Sequence, residues 1–299
     1  MEQEKLMYQL MHNLSQTDKP IIFKGAMVTK IIMANNNVEY DRQTKDIDAN
    51  WFEANATVEQ INDVLDIALQ EIDPGYFAIN IRPFANKRSA GFAIFHTDSF
   101  DNFDNSVPIF TMDISCKPNI GFQNYSIDDL TFKGVLPTEI LADKIHTISH
   151  NTQINRRPQD IMDVYNLSHC VSFNSLNIIS VCENKDRTLG DFNIFLTKKE
   201  RVQEKYERNL SNIENKPDFE TVYKHLNILV EPFTDKAIST QMWNPEKLKW
   251  ESLIPITESS TKAMQKYKEI PNRYLDDNTP VCKNPENEIN LNKDSECDF

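Results

Sequence analysis

The chain has 299 residues, of which 39% are hydrophobic and 26% charged, and its formal net charge is -13. This composition is typical of a soluble globular protein, and there is no apolar run of about 18 residues that could form a transmembrane helix. The acidic balance argues against nucleic-acid binding over a broad surface, although local basic clusters remain open.

The first half of the sequence alternates between helical and extended patterns. The expected helices and strands, in chain order, are a helix over 2–14, a buried strand over 21–23, a helix from Gly25 to about residue 35, an extended segment over 42–52, a helix capped by Thr57 and Gln60, and strands over 76–82, 91–96 and 107–116. From Pro137 onward the pattern becomes mostly helical, with helices expected over 138–149, 158–170, 174–183, 197–210 and 217–231.

These elements predict an α+β fold, with a mixed sheet flanked by helices in domain 1–136 and an α-helical domain over 137–274. Residues 275–299 carry seven acidic residues and two lysines, which predicts a solvated, flexible tail. The five cysteines are scattered without a CxxC pair. We expect reduced thiols and a cytoplasmic location, with no membrane partner.

Three carboxylates in the first half suggest a cation site. Asp46 and Asp48 are spaced i, i+2 on an extended segment, so they share one face while Ile47 points into the core. Asp113 lies in a separate apolar strand, where a carboxylate is costly unless it meets a cation. Together they predict an oxygen-rich site for Mg²⁺ or Mn²⁺, as triphosphate chemistry requires. The structural alternatives are an exposed strand edge for the pair and a strand-end aspartate for Asp113.

Gly25 lies where a strand passes into a helix. A glycine there allows close backbone approach to a ligand, and the free N–H groups of the helix start can bind phosphate. On its own, Gly25 is weak evidence for such a site, and a simple tight turn explains it better.

Charged residues in the second half suggest a second contribution to a cleft. Lys144 shares a helix face with apolar residues, so it either extends to solvent or meets an anion such as a triphosphate or Asp160. Asp160 lies at the flank of the inner face of the next helix, whereas Asp163 is expected to point nearly opposite. Arg156 and Arg157 precede that helix and are candidates for phosphate or RNA contact, or for a solvated turn.

Two segments resemble signatures of a known family. The first is Lys24-Gly25, a helix, and then R-Q-T-K-D-I-D from Arg42 to Asp48; the second is L-A-D-K-I-H over 141–146 followed by R-P-Q-D-I-M-D-V-Y over 157–165. In this order they resemble the AbiEii/AbiGii toxin family, which includes MenT-like proteins of abortive-infection and type IV toxin–antitoxin systems. Trp243-Asn244-Pro245 is similar to a later family element, so the resemblance covers roughly residues 20 to 250.

The resemblance implies a nucleotidyltransferase fold with a helical C-terminal domain, an NTP substrate and a cognate antitoxin. It implies metal binding by Asp46, Asp48 and Asp113, and catalytic roles for Lys144 and Asp160. Nucleotide contacts are implied for Lys24, Gly25, Ala26, Arg42 and Lys45. Family members often carry Ser or a second Gly where Ala26 stands, so we expect altered nucleotide contact there, through the backbone alone.

The leading hypothesis is a Mg²⁺-dependent nucleotidyltransferase toxin in phage defence, with tRNA as a candidate acceptor. One rival is an NTP- or RNA-binding interaction protein without transfer activity, favoured by Ala26 and the acidic charge. A second rival is a metal-dependent phosphoesterase, because three aspartates do not determine which phosphate chemistry occurs.

Overall fold

A seven-stranded mixed sheet forms the centre of the first half of the chain. The computed structural model describes residues 2–40, 42–52, 56–84, 89–97, 107–116, 121–234 and 240–252. The strands of the sheet are β1 (Ile21–Lys24), β2 (Asp46–Trp51), β3 (Tyr76–Arg82), β4 (Ala90–His96), β5 (Phe110–Cys116), β6 (Phe122–Ile127) and β7 (Leu130–Val135).

The spatial order of these strands is β3-β4-β5-β2-β1-β7-β6. β2 runs parallel to β5, β1 runs parallel to β7, and the other neighbouring pairs are antiparallel. The strands with candidate site residues, β5, β2 and β1, are therefore adjacent at the middle of the sheet.

Three helices cover the sheet: α1 (Gln3–Gln16), α2 (Gly25–Asn35) and α3 (Val58–Gln70). α1 and α3 pack against each other and against the sheet, whereas α2 packs on β1 and β2. The expected capping box at the start of α3 is confirmed, because Thr57 and Gln60 bond reciprocally through side chain and backbone. The buried apolar stripe that follows explains why this segment packs as a helix.

The second half is mainly helical, with helices α4 (Pro137–Ser149), α5 (Asn151–Arg156), α6 (Gln159–Cys170), α7 (Ser175–Asn184), α8 (Asn193–Thr197), α9 (Lys199–Asn209) and α10 (Phe219–Thr234). A small antiparallel sheet adds β8 (Phe173–Asn174), β9 (Gln241–Asn244) and β10 (Lys249–Ser252). α4 packs against α6 and α7, and both α4 and α6 also contact α2.

The predicted α+β class is confirmed, but two parts of the fold were not anticipated. The hairpin β6–β7 and the three-stranded sheet are absent from the sequence-based description. The expected tail over 275–299 lies outside the described residues. Cys116, Cys170 and Cys182 are free thiols, and none of the described helices is long and apolar enough to cross a membrane.

Candidate active site

Asp48 and Asp113 lie side by side at the centre of the sheet. The parallel pairing of β2 and β5 places Asp48 opposite Asp113 and Asp46 opposite Thr111. Ile47 is fully buried, as the alternation predicts, so Asp46 and Asp48 share the opposite face. The fold thus brings the two predicted carboxylate segments together, although about 65 residues separate them in the sequence.

Asp46, Asp48 and Asp113 form a row of carboxylates across β2 and β5, and polar side chains extend this carboxylate row onto β1. Lys24 pairs with Asp48 across the β1–β2 ladder. Its ammonium group donates to the Asn50 side chain and, over 3.4 Å, to Ser115 Oγ. Asn50 and Ser115 were not among the predicted site residues. The signal that could have found them is the same i, i+2 alternation, continued from Asp48 on β2 and from Asp113 on β5.

Gly25 lies directly against the Asp48 carboxylate, at the start of α2. Its φ is +73°, and a Cβ there would overlap Asp48 Oδ2. Both facts require glycine at this position. The close approach brings the positive end of the α2 dipole to the carboxylate row, where the first N–H groups of the helix have no partner within the helix.

The surroundings of Asp48 disfavour its negative charge. Burial raises the pKa of the Asp48 carboxyl, and the neighbouring Asp46 and Asp113 raise it further, whereas Lys24 and Arg157 oppose this shift. A divalent cation at the row would offset both the burial and the carboxylate repulsion. The hard oxygen donors of this row suit Mg²⁺ or Mn²⁺.

The expected convergence of three carboxylates on one point is only partly reached, which corrects the sequence-based description. Asp46 Oδ1 accepts a hydrogen bond from Thr44 Oγ1 at 2.7 Å, and Asp113 Oδ1 is bound by Arg82 Nη2 at 2.7 Å. Among the described residues, no three Asp, Glu, His or Cys side chains are grouped closely enough to hold an ion. The donor set fits a cation, although Arg82 already binds one oxygen of Asp113.

A buried charge network links Lys144, Asp160 and Asp163 of the second half to Tyr40 and Arg42 of the first half. Lys144 Nζ lies 3.2 Å from Asp160 Oδ1 and 2.5 Å from Asp163 Oδ2. Asp163 also accepts from Tyr40 Oη and Arg42 Nη1, each at 2.5 Å. The Lys144, Asp160 and Asp163 side chains are at most 5% exposed. The network joins α4 and α6 to the segment that leads into β2.

This network corrects three expectations. Asp163 does not point away from the inner face but is the most connected member of the network, because it receives Lys144, Arg42 and Tyr40. Lys144 neither extends to solvent nor lies open to a triphosphate, although its predicted contact with Asp160 is confirmed. Arg42, expected at the nucleotide, is instead paired with Asp163.

The charges of the network stabilise one another. Burial alone would raise the pKa of Asp163, but the charges of Lys144 and Arg42 outweigh it and hold that pKa below its ordinary value. Burial alone would lower the pKa of Lys144, but Asp160 and Asp163 outweigh it and raise that pKa. Both groups therefore stay ionised at neutral pH.

The remaining predicted residues lie at the periphery. Arg156 and Lys45 are exposed, and Ala26 is half-buried in the first turn of α2. Arg157 pairs with Asp160 over 3.1 Å, and its side chain is 52% exposed. Its charge also acts to lower the pKa of the Asp48 carboxyl, so Arg157 lies within electrostatic reach of the carboxylate row.

Comparison with known proteins identifies the family. A model of the nucleotidyl transferase AbiEii toxin family, of type IV toxin–antitoxin systems, matches residues 6–245. The chain belongs to this family. It is therefore a nucleotidyltransferase of the toxin type, and the resemblance drawn from the two motifs is confirmed.

No match is found among curated proteins. Two solved structures are similar in part. One is the nucleotidyltransferase toxin MenT4 of Mycobacterium tuberculosis H37Rv, with 14% identity, a TM-score of 0.42, and coverage of 74% of this chain and 86% of that chain. The other is an antigenic nucleotidyltransferase-like protein of Paracoccidioides brasiliensis, with 13% identity, a TM-score of 0.40, and coverage of 75% and 92%.

Proposed function

We propose that this AbiEii-family toxin uses Mg²⁺ or Mn²⁺ to transfer a nucleotide from an NTP to an RNA acceptor, with tRNA as the first candidate. We further propose that it acts in antiviral defence in the cytoplasm and is restrained by a cognate antitoxin. The observation that carries the proposal is the pairing of Asp48 with Asp113 beside the glycine start of α2.

In this proposal, Asp46, Asp48 and Asp113 hold the cation, which supplies charge neutralisation for the triphosphate when bound. The first N–H groups of α2, from Gly25 and Ala26 onward, donate hydrogen bonds to the phosphate oxygens. Positive charge is added by Lys24, the ladder partner of Asp48, and by the exposed Lys45, which precedes Asp46 in the sequence.

The acceptor hydroxyl forms a bond to the α-phosphorus, the bond to the bridging oxygen breaks, and pyrophosphate leaves. Asp113 receives the hydroxyl proton.

Lys144, Asp160 and Asp163 are proposed as positioning residues, since they are too buried to touch substrate in this conformation. Asp163 holds Arg42 and Tyr40 at the entry to β2, and Asp160 orients Arg157 toward the carboxylate row. Their effect on transfer would arise through placement of these neighbours, within tolerances of a fraction of an ångström.

RNA contact is assigned to Arg156 and Arg157. The net charge of -13 confines attraction for RNA to such local cations, so RNA binding should weaken with salt along a shallow slope, set by the few phosphates that these cations contact.

The deciding experiment incubates the purified protein with each of the four NTPs, labelled at the α-phosphate, together with total RNA and Mg²⁺. Label in RNA supports the transferase, and its position on the gel identifies the acceptor size class. Phosphate release without labelled RNA would instead favour a phosphoesterase, and nucleotide retention without either product would favour a binding protein.

Expression in a growing host tests the toxin role in parallel. Asp48→Asn should remove both the labelling of RNA and the growth arrest, while Asp63→Asn, an exposed position on α3, should preserve both. Undiminished arrest in the Asp48 variant would contradict the catalytic account.

A further inference from the structure

Arg82 reaches across one strand to hold the third carboxylate of the row. It lies on β3, its partner in the ladder is Gly91 on β4, and the partner of Gly91 on β5 is Asp113. The guanidinium Nη2 lies 2.7 Å from Asp113 Oδ1. A side chain from two strands away therefore occupies one of the two oxygens of the Asp113 carboxylate.

The path of Arg82 depends on the missing side chain at Gly91. A Cβ there would lie 3.3 Å from Asp113 Oδ1 and 3.4 Å from Arg82 Nη2, so it would crowd the ion pair. Ser89 adds two further contacts, since its carbonyl accepts from Arg82 Nε at 3.2 Å and its hydroxyl from Nη2 at 3.0 Å. Gly91 thus leaves space for the Arg82 side chain and Ser89 binds it, and together they direct the guanidinium group toward Asp113.

We propose that Arg82 is an exchangeable counter-ion that occupies Asp113 when no cation is bound, and that moves to the triphosphate when cation and nucleotide enter. This inference rests on the proposed function, because it assigns Asp113 to the cation site. Arg82 gives up one oxygen of Asp113 and then offers its planar pair of donors to a phosphate, a geometry that suits guanidinium groups.

The exposure of the ion pair supports exchange. The Arg82 and Asp113 side chains are 49% and 40% exposed, whereas Lys144 and Asp163 are 5% and 0% exposed. An exposed ion pair is weak and can be displaced by a competing cation, while a buried pair of this kind is held in place. A cation can therefore displace Arg82 from Asp113, whereas Lys144 stays paired with Asp163.

The test measures Mn²⁺ binding without nucleotide, by the electron paramagnetic resonance signal of free Mn²⁺ at low salt. Arg82→Gln should bind Mn²⁺ about two- to fivefold more tightly than the unmodified protein, because the cation no longer displaces a weak ion pair. Arg187→Gln is the matched control, since Arg187 pairs with Asp143 at 2.9 Å, with both side chains 36% exposed. It should leave Mn²⁺ affinity unchanged.

A double-mutant cycle separates competition from simple charge removal. With Asp113→Asn already present, Arg82 has no carboxylate to release, so adding Arg82→Gln should no longer tighten Mn²⁺ binding. An equal gain with and without Asp113 would mean that Arg82 acts only as a nearby positive charge, which would overturn the proposal.

A second measurement concerns triphosphate affinity, which Arg82→Gln should lower, although the same substitution should raise Mn²⁺ affinity. Inorganic triphosphate, titrated into protein saturated with Mn²⁺, should bind Arg82→Gln more weakly than the unmodified protein. Unchanged triphosphate affinity would overturn the transfer of Arg82 to phosphate.

These outcomes separate this inference from the proposed function. If Mn²⁺ binds and Asp48→Asn removes that binding, but Arg82→Gln changes nothing, the exchange is wrong while the cation site stands. If the unmodified protein binds no Mn²⁺ without nucleotide, the exchange is wrong, whereas the proposed transfer is judged separately by the RNA-labelling experiment.

Discussion

At the scale of single residues, the site is held in an arrangement that disfavours its own charges. Burial and two neighbouring carboxylates raise the pKa of Asp48, so ionising it in the folded state opposes folding at neutral pH. Such strain is typical of residues retained for function at a cost in stability.

The first prediction follows from that conflict. Asp48→Asn removes the disfavoured charge at nearly constant shape, so its melting temperature at pH 7 should rise while transfer to RNA falls by about 100-fold or more. Differential scanning fluorimetry and the RNA-labelling assay measure the two effects. The surface variant Asp63→Asn should change neither, and a large loss of stability in Asp48→Asn would show that the carboxylate is structural.

A second prediction concerns Gly25. Gly25→Ala places a Cβ against the Asp48 carboxylate at a positive φ, so it should lower the free energy of unfolding by at least about 1–2 kcal/mol. Transfer should also be lost, because α2 and β2 must separate. Urea unfolding measures the first effect. Gly121→Ala is a milder comparison, since its Cβ would meet only the Leu136 side-chain end at 3.1 Å.

At the scale of elements, the charge network fixes α4 and α6 to the segment that enters β2. Lys144→Met removes the buried cation that Asp160 and Asp163 share, so their two charges are compensated less well and the free energy of unfolding should fall by about 3–5 kcal/mol. The matched control is Lys247→Met, which breaks an exposed i, i+4 pair with Glu251 and should cost far less. Equal losses in the two variants, measured by urea unfolding, would contradict a structural role for the network.

The network also predicts an acid dependence. The pKa of Asp163 in the folded chain lies below its ordinary value of 3.8. Its stabilising contribution is therefore complete above pH 3.8 and is lost as pH falls toward the folded value. The stability difference between the unmodified protein and Asp163→Asn should shrink as pH falls below 3.8. A stability difference that stays constant from pH 6 to pH 3 would mean that it does not arise from the ionisation of Asp163.

Elements were predictable from the sequence where one local pattern determined them. The stripe of α3 and the alternation of β2 depend on neighbours within each segment, and both were found. The β6–β7 hairpin was missed because its turn, Asp128-Asp129, lacks the glycine that usually marks a two-residue connection, although Asp128 has a φ of 51°.

The candidate site residues were likewise predictable from the sequence only where a local pattern determined them. Alternation predicts that Asp46 and Asp48 share a face, and the apolar neighbours of Asp113 mark it as an unusual strand carboxylate, but Asp163 and Arg82 depend on partners in distant segments. Asp163 was assigned to the outside because only apolar residues were used to define the inner face of α6. Lys144 and Arg42 make its burial favourable, and no pattern within α6 records them.

At the scale of the whole molecule, one hydrophobic core extends through both halves of the chain, and the network adds charged contacts between them. Tyr40 and Arg42 come from the first half, whereas Lys144 and Asp163 come from the second. The proposed site has its carboxylates in one half and Arg157 in the other, so it would require this attachment. Separate movement of the halves would carry Arg157 away from Asp48.

The last prediction is therefore that the two halves unfold together. Trp51 on β2 and Trp243 on β9 are both buried, so each can report on its own half. In each variant that keeps only one of these two tryptophans, with Trp250 replaced by Phe, the fluorescence transition in urea should coincide with the far-UV circular dichroism transition of the same variant. Adding Lys144→Met should lower both midpoints, because it weakens the connection that the halves share. A Trp243 fluorescence transition at clearly lower urea than the circular dichroism transition of the same variant would mean that the helical half is an independent unit, and that Arg157 is not held at the carboxylate row by the fold.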